Sequence, residues 1–161
     1  VLEHTGDYAF LNNRYCDESL KEDAKAYVNP PMDDRWLDAL IELKQAGLVA
    51  KLARPGHKGC VTFLVDQIDK VDRYVLPDVL AGIIKCRPDD MVKHFISAMT
   101  RLSRLHYYYD ERAMMLRLIT RLPADSVQEI EDYIKTLPEE VIAEAAPHLH
   151  ELRQRATASN S

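Results

Sequence analysis

The sequence predicts a mostly α fold with one β-hairpin near residue 55 and a C-terminal helical bundle, and three observations carry that class. Apolar residues recur at helical spacing through most of the 161 residues. Pro55-Gly56-His57-Lys58-Gly59 stands between two aliphatic runs as strong turn punctuation. The prolines Pro77, Pro88, Pro138 and Pro147 then divide a long stretch of amphipathic pattern into helix-sized pieces.

From the N-terminus, Leu20, Ala24, Tyr27 and Val28 give a short amphipathic helix that Asn29-Pro30-Pro31 ends, because proline cannot continue a helix but can begin one. Asp33 and Asp34 suit the first turn of the next helix, where acidic groups meet the positive end of the macrodipole. Trp36, Leu37, Leu40, Ile41 and Leu43 supply its apolar face, and Gly47 falls where a left-handed cap would close it. The period then changes. Leu48 to Arg54 and Cys60 to Val65 have strand composition, and with the five-residue turn between them they predict a hairpin. Beyond Asp66 the pattern is helical. Pro88-Asp89-Asp90 opens a helix with the stripe Met91, Val92, Phe95, Ile96, Met99 and Leu102. Met114, Met115, Leu118, Ile119 and Leu122 form a second stripe, read as core filling. Ser126 and Glu129 have capping-box spacing ahead of Ile130, Tyr133, Ile134 and Leu137. Val141, Ile142, Ala145, Leu149 and Leu152 make the last stripe, with Pro147 expected to kink it. The expected organisation is a module over residues 1–65, a helical domain over 66–155 and a disordered tail over 156–161.

Composition excludes several classes. Apolar residues make up 47% and charged residues 29%, a globular balance, and the formal net charge of −5 supplies no global field for nucleic acid or anionic lipid. Any such binding needs a local basic patch. Charge is segregated along the chain: eight Lys/Arg stand against four Asp/Glu from Lys85 to Arg121, and seven Asp/Glu against one Lys from Asp125 to Glu144. These runs read as solvated helix faces or as complementary contact faces. Cys16, Cys60 and Cys86 form no CxxC pair, so they read as small buried residues in a reduced, cytoplasmic compartment. The first residues lack the pattern of a signal peptide, and no apolar run is long enough to span a bilayer.

The residues Leu20–Val28, the Asn-Pro-Pro turn, the helix from Trp36 and the ending Leu43-Lys-Gln-Ala-Gly-Leu-Val49, followed by a hairpin, resemble a winged helix-turn-helix over about residues 18–65. That resemblance implies a recognition helix and a wing, and a fold used both for DNA binding and for protein contact. It leaves Tyr8–Tyr15 to serve as the first helix. It places Arg35 and Trp36 near the DNA groove and Lys51, Arg54, His57 and Lys58 on a basic wing that neutralises phosphates. The same wing charges equally suit a guard that keeps an edge hairpin from pairing with others. The recognition-type helix is acidic, however: Asp33, Asp34, Asp38 and Glu42 repel phosphates and suit a basic protein partner.

Catalytic chemistry finds little foothold. His148 and His150 diverge by about 200° on a helix and cannot share a metal. His4, His94 and His106 look isolated, no Ser sits in a G-x-S-x-G elbow, and no Gly-rich phosphate loop exists. Tyr107, Tyr108 and Tyr109, amid Arg101, Arg104 and Arg112, read either as base-stacking groups or as rings closing a helix junction. The expected function is a small non-enzymatic regulator without cofactor or metal. It binds double-stranded DNA through the helix pair and wing, and its C-terminal helices dimerise or contact a partner. The alternative is a protein–protein adaptor, or a subunit of a larger assembly, that uses the acidic helix.

Overall fold

The computed structural model describes residues 34–105 and 109–159. The expected helices over 8–15 and 20–28, Asp33, and the Tyr107-Tyr108 pair therefore lie outside the described residues. Within them the order is α1 (Asp34–Glu42), α2 (Ala46–Leu52), α3 (Lys58–Gln67), α4 (Leu76–Lys85), α5 (Met91–Ser103) and α6 (Tyr109–Arg117). Two 3-10 turns (Leu118–Arg121 and Ala124–Ser126) then lead to α7 (Val127–Ile134) and α8 (Glu139–Ser159). No helix among these residues is long and apolar enough to cross a membrane.

The described residues contain no strand, so the expected hairpin, and with it the wing, is corrected to two helices. The physical reason is burial. Ala46, Leu48, Val49 and Ala50 are all buried, which a strand with one solvated face cannot achieve and a short helix wedged between neighbours can. Cys60, Leu64 and Ile68 are buried at a spacing of four, the stripe of a helix rather than a strand. Gly56, at φ 94°, ends the connection, and His57 caps the helix that follows. The expected cap at Gly47 moves to Lys44, at φ 56°, where Lys44 N–H donates to Ile41 O and Gln45 N–H to Leu40 O, each at 3.0 Å. These are the two bonds of a Schellman closure, so α1 stops three residues earlier than its apolar pattern suggests.

The helix α4 lies at the centre and packs against α2, α3, α5 and α6. Its entry is prepared by Asp72, whose carboxylate accepts from the N–H groups of Tyr74 and Val75 at 3.0 and 3.2 Å. Gly82 is needed there because α2 presses against it through Ala50. The α5 stripe is as expected, with Met91, Val92, Phe95, Met99 and Leu102 buried. The second stripe is interrupted: the α-helix gives way to a 3-10 turn after Arg117, so Met115, Leu118 and Ile119 are buried while Met114 is 43% exposed. The Ser126 hydroxyl donates to Pro123 O instead of forming the expected capping box. The last helix packs on α6, α7 and both 3-10 turns. It runs through Pro147, whose missing N–H falls on the exposed side, and continues to Ser159 over the expected tail.

Candidate interaction surface

The charged residues singled out in the sequence converge, but on one another. Asp34, Asp38 and Glu42 recur every four residues along α1 and so form one stripe. The connection between α2 and α3 runs alongside it. Arg54 is ion-paired with Asp34. His57 Nε2 lies 2.9 Å from Asp38 Oδ1. The Nδ1 atom of the same ring accepts the Cys60 N–H at 3.0 Å, which caps α3 and leaves Nε2 to carry the proton and donate to Asp38. His57 is therefore a bracket between the α3 cap and the α1 stripe, with its side chain 10% exposed.

The remaining members are scattered by comparison. Lys58 is exposed at the start of α3, and its carbonyl accepts from Thr62 Oγ1 at 3.1 Å. Lys51 is exposed on α2, and its carbonyl accepts from Lys85 Nζ at 2.6 Å. Arg35 is exposed, while Trp36 is half-buried. Glu42 makes no ion pair with any described residue, and Leu43 beside it is 66% exposed. Asp34 and Asp38 remain 66% exposed despite their partners, so the α1 face toward solvent is still acidic.

If His57 brackets the two elements, His57→Ala lowers stability by about 1–2 kcal/mol, the range for loss of a helix cap. Lys58→Ala, one residue away and exposed, stays within about 0.5 kcal/mol. Urea unfolding of both variants checks the pair; equal, small effects would refute the bracket.

Several sites were not apparent in the sequence. Arg87, Arg121 and Lys85 gather near the end of α4: Arg87 Nη1 donates to Arg121 O at 3.4 Å, and Arg155, from α8, donates to Leu122 O. Burial, reinforced by the Arg121 charge, holds the Lys85 amine below the usual lysine range, although the neighbouring thiols act the other way. A second network joins α6 to its surroundings. Arg112 donates to Glu144 at 2.7 Å and lies 3.7 Å from Glu140, while Glu111 faces Arg73 at 3.6 Å. Tyr74 and Tyr109 stay exposed, with Arg73 and Arg112 stacked on their rings at 4.6 and 4.9 Å. His94, read as isolated, pairs with Asp90 one turn earlier at 2.9 Å. The partners that join different elements lie far apart in sequence, whereas Arg73–Tyr74, Tyr109–Arg112 and the i, i+4 pair Asp90–His94 are local.

Cys60 and Cys86 are both buried, and the Cys60 thiol donates to Val49 O at 3.9 Å. The neighbouring Cys86 thiol and burial push the Cys60 thiol up, whereas the Cys60 thiol and the Arg54 backbone favour the Cys86 thiolate. No group of three or more His, Cys, Asp or Glu among the described residues has the arrangement to hold a metal ion. Compared with known proteins, the chain matches no family model, no curated protein and no solved structure, so its function is argued from its own residues.

Proposed function

We propose that this protein is a non-enzymatic adaptor or assembly subunit that docks a basic partner protein on the acidic face of α1. The observation that carries this reading is the pairing of Arg54 with Asp34 and of His57 with Asp38. Arg54 and His57, two of the groups expected to face phosphates, are instead held by carboxylates of the protein itself, which withdraws them from a DNA-binding face and fixes the stripe in place. Pre-ordered side chains lose less entropy on docking than free ones. Leu43, exposed at the end of the stripe beside Glu42, which has no ion pair among the described residues, supplies an apolar contact next to the charge. Acidic groups steer and orient a basic partner, and the apolar neighbour adds burial.

The test is a double replacement at two exposed positions, Glu42→Lys with Leu43→Asp, which leaves the core untouched. A binding partner retained by the wild-type chain is expected to be lost by this variant while its thermal midpoint stays unchanged. A partner held equally by both proteins would refute docking through α1.

A further inference from the structure

We infer that the depression between the end of α4 and the end of α8 binds a small phosphate monoester, with Arg87 as the principal phosphate ligand. The site is an open hollow of about 460 Å³ lined by Arg87, Leu122, Pro123, Ala124, Arg155 and Ala158. That volume lies within the range of small-molecule pockets. Both guanidinium groups are anchored on successive main-chain carbonyls, Arg87 on Arg121 O and Arg155 on Leu122 O. Both arginines line the same hollow, with Arg87 at its α4 side. Arg87 spends one of its N–H donors on that carbonyl and forms no ion pair among the described residues. Its other donors form the planar fork that matches a phosphate.

The backbone gives an independent observation. Arg87 sits at φ 56°, in the left-handed region, just past the cap of α4. Glycine is the natural occupant of that position, and a side chain there carries a strain cost. Its N–H donates to Ile84 O at 3.1 Å, but the following Pro88 has no N–H to complete a Schellman closure. Because Arg87 is exposed, packing does not explain why an arginine stands there. A ligand contact does.

Charge selects the ligand class. Two arginines line the hollow, and Lys85 and Arg121 nearby have no carboxylate partner among the described residues, so a phosphate monoester, at about −1.5 to −2, suits it better than a singly charged carboxylate. Beyond Pro123 the surface turns acidic, with Asp89, Asp90, Asp125 and Glu129 around the adjoining cleft. That ridge repels an extended polyanion and leaves room for a single phosphate group. Leu122, Pro123 and Ala124 offer an apolar floor for the organic part of the ester.

The experiment is a titration with phenyl phosphate followed by phosphorus NMR, with inorganic phosphate as the parallel arm. Wild type is expected to bind phenyl phosphate saturably and more tightly than inorganic phosphate. Arg87→Gly removes the fork and relieves the backbone. It is expected to weaken binding about ten- to hundred-fold, the loss of one charge-assisted hydrogen-bonding group, with a thermal midpoint equal to or above that of wild type. Lys58→Ala, remote from the hollow, is expected to bind as wild type does. Wild-type protein that does not bind phenyl phosphate, or Arg87→Gly that binds it undiminished, overturns the proposal. Equal affinity for the two anions overturns the ester assignment.

Discussion

Gly82→Ala is expected to destabilise the protein by about 1–2 kcal/mol, although the same change in an ordinary helix interior stabilises by about 1 kcal/mol. A Cβ at residue 82 would lie 2.8 Å from Ala50 Cα, 2.9 Å from Ala50 O and 3.0 Å from Ala50 Cβ. Those atoms are mostly backbone, so α2 must move away from α4 as a unit. Overpacking of that kind costs about 1–3 kcal/mol, which exceeds the gain in helix propensity. Gly47, on α2 itself, gives the opposite sign. A Cβ there meets nothing within 4 Å, so Gly47→Ala is expected to raise stability by up to about 1 kcal/mol. Urea midpoints for the two variants shift in opposite directions if α2 crosses α4 at Ala50. A stabilising Gly82→Ala would contradict that crossing.

Arg112→Met is expected to cost about 2–3 kcal/mol. The Arg112 side chain is 6% exposed and bonded to Glu144, which is 27% exposed. Removing one partner of a buried pair costs about 3–5 kcal/mol, because the other charge is left desolvated. The partial exposure of Glu144 brings the figure to the lower end. Methionine keeps most of the stem volume, so the loss reports charge more than packing. The double variant Arg112→Met with Glu144→Met is expected to recover much of the loss, since two apolar groups replace the pair without stranding a charge. A double variant less stable than Arg112→Met would show that the pair is not the source of the effect.

The legible parts of this fold are those in which one stripe decides everything. In α5, Met91, Phe95, Met99 and Leu102 are buried and the stripe is complete within the helix, so its period alone identifies it. The segment from Gly47 to Val65 misleads for two physical reasons. A short helix buried on nearly every side has no polar face and so no period: Leu48, Val49 and Ala50 are all buried. The stripe of α3 does exist, but its third member, Ile68, lies beyond the aliphatic run that suggests a strand. Between these two helices, Pro55-Gly56 punctuates a helix-to-helix connection as readily as a hairpin.

The candidate surface was legible in its residues and not in its arrangement. Asp34, Asp38, Arg54 and His57 are all visible as charged or titratable groups, and the spacing of Asp34 and Asp38 places both on one helix face. That Arg54 and His57 come back across nearly twenty residues to meet them is a tertiary fact, which no local pattern encodes. The Arg87–Arg155 hollow joins residues still farther apart, and only the unusual Arg-Pro pair after α4 marks it in the sequence.

The claim on which the functional reading turns is that the acidic α1 stripe holds Arg54 and His57, two of the groups expected to contact DNA, and faces a basic protein instead. The most direct measurement is fluorescence anisotropy of a labelled generic duplex titrated with the protein at about 50 and about 200 mM salt, conditions between which phosphate-driven binding weakens steeply. The account predicts no saturable binding at either salt concentration. Saturable binding with a log–log salt slope near −2.7, the value for three neutralised phosphates, and lost on Arg54→Ala with Lys58→Ala, would contradict it.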